Sequence, residues 1–141
     1  MGINHEKLYV KFRDIEESLT RLKQFEVMAR DDFLADRDSQ DIASFRLIVA
    51  TEAAIDTCLH IAAKSLKTIP EEYAFCFHLL AEHDLIDKGL AERLARMARF
   101  RNLLIHRYWQ IDYGQIYEII TGFELEDLRD FMKQVSRMME T

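Results

Sequence analysis

The chain has 141 residues, enough for one domain, and 49% of them are hydrophobic, so a core can form. Only four glycines and one proline are present, which disfavours an all-β fold with its many turns and favours long helices. The formal net charge of −6 argues against nucleic-acid or anionic-membrane binding driven by total charge, while leaving room for a local basic patch.

No segment is typical of a targeting or membrane-spanning sequence. The opening residues MGINHEKLYVKF lack the apolar core of a signal peptide, and no stretch approaches the roughly eighteen apolar residues of a membrane span. Cys58 and Cys76 form neither a CxxC pair nor a Cys/His cluster, so a reducing compartment is expected. The sequence predicts a cytoplasmic protein without membrane contact, whose two cysteines pack as small hydrophobic residues.

The first half of the chain predicts two long helices. Apolar residues recur at threes and fours from residue 4 to about 28, as in an amphipathic helix. The Asp-rich stretch 29–41 is the expected break, with Ser39 or Asp41 as the N-cap of the next helix. That helix, at about 41–67, is the most apolar of the chain, and we expect it to be central.

The second half predicts three further helices. Residues 71–83 favour a short helix, and Asp87 is placed to cap a helix that continues through IH at 105–106. The last amphipathic helix is expected at about 114–138, weakened or bent at Gly122.

Together these segments predict one domain over residues 1–141, an all-α up-and-down bundle of four long helices and one short helix. Helices of this length leave apolar stripes that a monomer need not cover, so we expect a homodimer.

The central helix carries a polar stripe formed by Glu52, Asp56 and His60, which lie four residues apart and share one face. One interpretation is a metal site, but no histidine has Glu three residues before it, as di-iron bundles require. The interpretation that we favour is a solvated or interface stripe. We therefore predict no metal site and no cofactor.

The marked local feature is RLARMARFRNLLIHRY, residues 93–108, which contains five arginines and no acidic residue. The planar guanidinium group donates paired hydrogen bonds to phosphate. Arg93, Arg96 and Arg99 form a strip on one helix face that could follow a nucleic-acid backbone. The alternative is a solvent-facing strip whose cations pair with acidic neighbours.

The residues Asn102, His106 and Tyr108 favour a site over a plain cationic strip. Histidine exchanges protons near neutral pH, and arginine stabilises the extra negative charge of a phosphoryl transition state. Metal-free RNA cleavage needs these two functions, one to take the proton of a ribose 2′-OH and one to stabilise the phosphorane.

Helix geometry leaves the arrangement of this site open. Arg101 and His106 lie about 140° apart around an ideal helix, whereas Arg99 and His106 share a face. Either the helix ends or bends before His106, or the site combines two chains, or Arg99 is the better partner. In a purely structural interpretation, His106 caps the helix C-terminus and the rings of Tyr108 and Trp109 simply pack.

The segment RNLLIHRY resembles the R-x4-H-x-Y motif of the HepT-like toxins, which belong to the HEPN superfamily of helical ribonucleases. FRLIVATEAAIDTCLHIA also resembles the central helix of that family, and the run from PEEYAF to YEII resembles it in order and spacing. The resemblance covers about residues 40–135.

This resemblance implies an all-helical homodimer with the motif of both chains in a cleft at the dimer interface. It implies that Arg101 and His106 serve metal-independent RNA cleavage and that Asn102 has a positioning role. It also implies that Tyr108 receives AMP from ATP through an MntA-like minimal nucleotidyltransferase, which silences the toxin. Further candidates for contact with RNA are Arg96, Arg99 and Arg107.

The expected function is therefore a metal-independent endoribonuclease toxin of a type II toxin–antitoxin pair, with RNA as substrate and the nucleotidyltransferase as antitoxin. The alternative is a non-catalytic helical module that binds a nucleotide or the nucleotidyltransferase.

Overall fold

Seven α-helices and one 3₁₀ turn make up the computed structural model of the chain, which describes residues 2–140. The four long helices are α1 (His5–Glu26), α3 (Arg37–Ser65), α5 (Lys88–His106) and α7 (Glu124–Met139). The three short helices are α2 (Arg30–Ala35), α4 (Tyr73–Glu82) and α6 (Tyr113–Thr121), and the 3₁₀ turn spans Tyr108–Gln110. The predicted all-α fold with four long helices is confirmed. The prediction of a single short helix is wrong, because the described residues contain three.

The central position expected for the most apolar helix is confirmed, because α3 packs against all six other α-helices. Its buried residues lie on several sides and many of them are small, namely Ala43, Ala50, Ala53, Ala54 and Ala62. Small side chains let neighbouring helix axes approach closely. Cys58 of α3 and Cys76 of α4 are free thiols buried in this core, and burial raises the pKa of Cys58.

The expected break at 29–41 is wrong in its extent, since α2 occupies part of it and α3 begins at Arg37. Phe33 anchors α2, because its ring is fully buried and meets Phe25 edge to face at 5.9 Å. Neither Ser39 nor Asp41 is the N-cap of α3; Asp36 is, and the Ser39 hydroxyl donates to its carboxylate at 2.6 Å. The apolar anchor therefore outweighs the weak helix propensity of the Asp-rich stretch.

The single helix expected at 114–138 is two helices, α6 and α7, separated at Gly122 and Phe123. A Cβ atom at Gly122 would lie 2.8 Å from the carbonyl oxygen of Glu118, which is too close for any other residue without a shift. The interruption predicted at Gly122 is confirmed and is a complete break.

The start of α5 is fixed as the sequence predicts, with Asp87 as N-cap. Its carboxylate accepts a hydrogen bond from the backbone N–H of Leu90 at 2.7 Å, and this bond is the main cause that lowers the pKa of Asp87. Gln134 of α7 also donates to the same carboxylate at 2.8 Å. The far end of α5, at His106, therefore projects from a helix that is anchored at its other end. Between residues 2 and 140 no helix is both long and apolar enough to cross a membrane.

Candidate functional site

The polar stripe of α3 is divided among three different partners. Glu52 pairs with Arg101 of α5 at 2.6 Å, and Asp56 pairs with Lys11 of α1 at 3.0 Å. The ring nitrogen Nε2 of His60 accepts a hydrogen bond from the backbone N–H of Asn4 at 2.9 Å. Within residues 2–140 no cluster of three His, Cys, Asp or Glu side chains could hold a metal ion, so the metal interpretation gains no support.

Arg101 is held by groups from three helices. Its Nη2 donates to Glu52 of α3 at 2.6 Å, and its Nη1 donates to Asn102 beside it at 2.8 Å. Its guanidinium carbon lies 5.7 Å from the ring centroid of Tyr73 on α4, a cation–π contact. Only 15% of the side chain is exposed, so the cation has a fixed place before any ligand arrives.

Not all N–H donors of the Arg101 guanidinium are hydrogen-bonded within the described residues. Two of its N–H groups are engaged by Glu52 and Asn102, out of the five that an arginine carries. The Nε atom is buried and has no acceptor among the described residues. A buried donor left unsatisfied costs about 1–3 kcal/mol of folding stability. The position of Arg101 is therefore not the one that stability alone would favour.

His106 is the last residue of α5 and is exposed. In the described part of the chain, no hydrogen bond or ring contact involves its side chain, so the interpretation as a C-cap side chain is not supported. The last turn is closed instead by the backbone N–H of Arg107, which donates to the Leu103 carbonyl at 2.9 Å.

The helix does not end or bend before His106, and one of the three geometric alternatives is therefore wrong. Arg101 packs toward α3 and α4, whereas His106, about 140° further around α5, points to solvent. One chain does not bring the two side chains to the same face. A site shared by two chains, or a partnership of His106 with Arg99, remains.

The arginines of α5 divide into two groups. Arg93 donates to Asp127 of α7 at 2.9 Å, which raises the pKa of Arg93, and Arg96 lies 3.4 Å from Glu92. Arg99 and Arg107 are exposed, and neither has an ion pair among residues 2–140. The interpretation as a paired surface strip holds for Arg93 and Arg96, although the exposed Arg96 pair is of a kind worth little.

Tyr108 and Trp109 project from the 3₁₀ turn directly after α5. They are 69% and 67% exposed, and their rings meet edge to face at 5.3 Å. The two rings therefore pack against each other, as the purely structural interpretation allows, but not into the core.

A groove of about 590 Å³ opens between the 3₁₀ turn and the first half of α3. Phe45, Tyr108 and Trp109 line it together with Arg37 and Asp41. Sequence reasoning did not single out Phe45, because α3 is apolar on several sides and nothing in its pattern marks which residues stay exposed.

Comparison with known proteins places the chain beside RNA-cleaving proteins. The family described as "Ribonuclease HepT-like" matches residues 15–135. The tRNA nuclease HepT of Aphanizomenon flos-aquae is 32% identical over 124 residues, which cover 87% of this chain and 83% of that protein. The mRNA nuclease HepT of Shewanella oneidensis is 30% identical over 100 residues, 71% of this chain and 74% of that protein.

A solved structure has the same helical fold over nearly its whole length. It is the tri-AMPylated Shewanella oneidensis HEPN toxin in complex with MNT antitoxin, with a TM-score of 0.86 and 25% identity. The match covers 95% of this chain and 99% of that one.

Proposed function

Because the chain belongs to the family of HepT-like ribonucleases, we propose that it is an RNA endonuclease and the toxin of a toxin–antitoxin pair. The observation that carries the proposal is the state of His106, whose exposed imidazole has no partner among residues 2–140 and lies at the end of a helix inside the matched region. A polar group that the fold does not use is available to a substrate.

The proposed reaction needs no metal ion. His106 takes the proton from a ribose 2′-OH, and the resulting oxygen attacks the adjacent phosphorus. The bond from phosphorus to the 5′-oxygen breaks, the leaving oxygen takes a proton, and the products are a 2′,3′-cyclic phosphate and a 5′-OH end. Arginine side chains stabilise the phosphorane charge.

Arg101 is the proposed phosphorane ligand, with Asn102 as the residue that positions it. The contacts to Glu52 and Tyr73 support this role, because a cation that is already oriented loses little freedom when it meets the transition state. Exposed Arg99 and Arg107, together with Arg96, are proposed to bind neighbouring phosphates.

We further propose a homodimer in which Arg101 of one chain and His106 of the other complete each site. The opposite orientation of the two side chains on one α5 supports a shared site. Two exposed rings on α4 also support a dimer. Tyr73, which contacts Arg101, is 45% exposed, and Phe75, two residues later, is 56% exposed. A second copy could cover both rings.

Tyr108 is the proposed acceptor of AMP from an MntA-like nucleotidyltransferase antitoxin. Its ring is 69% exposed, and its hydroxyl has no hydrogen bond among the described residues. The hydroxyl oxygen would attack the α-phosphorus of ATP, which releases pyrophosphate and leaves AMP on the ring. The added negative charge two residues from His106 would repel RNA phosphates. The tri-AMPylated state of the related Shewanella oneidensis toxin supports this assignment.

The test compares wild type with His106→Ala, using purified protein, single-stranded RNA and EDTA. We expect wild type to produce 2′,3′-cyclic phosphate ends and to arrest growth when expressed alone, and His106→Ala to do neither. His83→Ala, which changes another exposed histidine, is the control and should behave as wild type. Products with a 3′-OH end, or a strict need for a divalent metal, would contradict the mechanism.

A second experiment tests the modification. Co-expression with the nucleotidyltransferase should raise the intact mass in steps of AMP, and Tyr108→Phe should abolish every step. Binding of the partner without RNA cleavage or growth arrest by the unmodified wild type would favour the non-catalytic module instead.

A further inference from the structure

Three exposed aromatic rings from two separate parts of the chain line one groove. Phe45 of α3 is 57% exposed, and Tyr108 and Trp109 of the 3₁₀ turn are 69% and 67% exposed. The groove that they line has a volume of about 590 Å³. Burying a large apolar side chain is normally worth about 1.5–3 kcal/mol, so three such rings left open at one place indicate a surface that binds something.

The charges around these rings favour an anionic ligand. Arg37 lines the groove, Arg46 lies with its guanidinium carbon 5.4 Å from the Phe45 ring centroid, and Arg107 directly precedes Tyr108. None of the three arginines has an ion pair within residues 2–140. Asp41 also lines the groove and balances Arg37, so the cations that favour an anion are Arg46 and Arg107 beside the rings.

Aromatic faces interleaved with arginines are the arrangement that binds single-stranded nucleic acid. Each base stacks on a ring while the cations follow the backbone, and a base can stack in this way only if it is not paired in a duplex. Protein interfaces are also enriched in aromatic residues and arginine, so a second copy of the chain is the competing occupant that the fluorescence test below separates from RNA.

The groove also lies close to the proposed site of cleavage. Trp109 follows His106 by three residues, a separation of at most about 11 Å along the backbone. A base stacked on Trp109 would therefore belong to a nucleotide close to the one whose 2′-OH meets His106.

We infer that Trp109, with Tyr108 and Phe45, forms a stacking platform for unpaired bases of the RNA substrate, so that the enzyme selects single-stranded RNA beside the scissile phosphate. The inference rests on the proposed ribonuclease function and adds to it a class of substrate and a residue that positions it.

Trp109 reports on its own environment, because it is the only tryptophan of the chain. We would titrate wild type with a 2′-O-methyl oligonucleotide, which lacks the nucleophilic hydroxyl and cannot be cleaved, either single-stranded or annealed to its complement. The expected result is saturable quenching of Trp109 fluorescence by the single strand and little quenching by the duplex. Equal quenching by both, or binding seen by anisotropy without quenching, would overturn the inference.

Variants give the second readout. Trp109→Ala should raise KM for cleavage of single-stranded RNA roughly tenfold or more, with kcat changed less, and Trp109→Phe should stay within about threefold of wild type since it keeps a stacking face. The matched control is Phe123→Ala, which removes an 86% exposed ring at the α6–α7 junction and should leave KM unchanged. An unchanged KM in Trp109→Ala would contradict the platform.

The two proposals fail in different ways. If wild type cleaves no RNA and does not arrest growth, the ribonuclease function is wrong, whatever Trp109 does. If wild type cleaves RNA while its tryptophan emission shifts only with protein concentration and not with RNA, a second copy covers the groove and the platform is wrong.

Discussion

The polar stripe of α3 and the end of α5 differ in how their side chains are used. In the stripe, Glu52 and Asp56 have ion-pair partners, and His60 accepts a backbone hydrogen bond. At the end of α5, His106 and Arg107 have no such partner in the described chain, and the Tyr108 and Trp109 rings contact only each other among aromatic side chains. The side chains of the first region are engaged within the fold, whereas those of the second are free among the described residues, and we propose that they bind RNA.

The two histidines show what this comparison teaches. His60 and His106 are the same residue type on long helices, yet one joins α3 to the start of α1 and the other faces solvent at a helix end. Residue type therefore does not reveal function. The presence or absence of an internal partner separates the two roles.

The largest expected effect is that of His106→Ala on catalysis. Removal of a general acid–base group lowers kcat by about 10²–10⁴-fold, whereas an exposed residue without partners changes the free energy of unfolding by no more than about 0.5 kcal/mol. Single-turnover cleavage and urea unfolding measure the two quantities. A large loss of stability in His106→Ala would show that His106, like the residues of the stripe, contributes to folding, and it would contradict the comparison.

Glu52→Gln tests the one residue of the stripe that contacts a proposed catalytic residue, Arg101. Glutamine keeps an acceptor for Arg101 but removes the charge that makes the hydrogen bond strong, so we expect kcat to fall about tenfold while KM changes little. Asp56→Asn is the matched control, one turn along α3, where the same change affects only the surface pair with Lys11.

The restoration of activity separates positioning from general destabilisation. Glu52→Asp, which retains the carboxylate, should recover part of the lost kcat, and thermal unfolding should show all three variants folded at the assay temperature. If Asp56→Asn reduces kcat as much as Glu52→Gln does, Glu52 has no special role in orienting Arg101.

Arg99→Ala and Arg93→Ala compare an unpaired with a paired arginine on the same helix. Loss of one phosphate contact should weaken RNA binding several-fold and reduce the slope of log K against log salt by about one; we expect this for Arg99. Arg93→Ala breaks the pair with Asp127, so its effect should appear in stability instead. Equal salt slopes for the two variants would contradict the division of the α5 arginines into ion-paired residues and residues that bind RNA.

The sequence was sufficient for those parts of the fold that local pattern decides. The Asp87 cap, the central helix and the break at Gly122 follow from capping, composition and the missing Cβ. It failed at α2, because the burial of Phe33 depends on Phe25 and Tyr117 from other helices. Tertiary contacts of this kind override propensity and leave no local signal.

The sequence was sufficient to name candidate site residues, whose roles stay predictions, but not to give their contacts. The motif positions Arg101, His106 and Tyr108 could be named from spacing and resemblance, and the angle between the first two follows from the helix period. The Glu52 contact and the groove at Phe45 could not be foreseen, because each joins residues from different helices. Which residues bind RNA remains a prediction that the variants above would test.

The smallest expected effect is the pH dependence of stability that His60 contributes. Burial is the main cause that lowers the pKa of His60, and the charges of Lys7 and Lys64 lower it further. The unfolded chain, in which histidine has a pKa of about 6.5, then takes up its proton at higher pH than the folded chain. The stability from His60 is therefore complete above about pH 6.5 and declines as the pH falls toward the lower pKa of the folded form.

His60→Gln keeps an acceptor for the Asn4 N–H but does not titrate, so the excess stability of wild type over this variant should shrink as the pH is lowered from 7.5 to 5.5. The change should be less than about 1 kcal/mol, because one partly exposed hydrogen bond is involved, and urea unfolding at both pH values would measure it. His83→Gln serves as the control and should show no such change. If the excess stability of wild type over His60→Gln instead grew on acidification, protonated His60 would be the form that the fold stabilises, and its place in the satisfied stripe would be wrong.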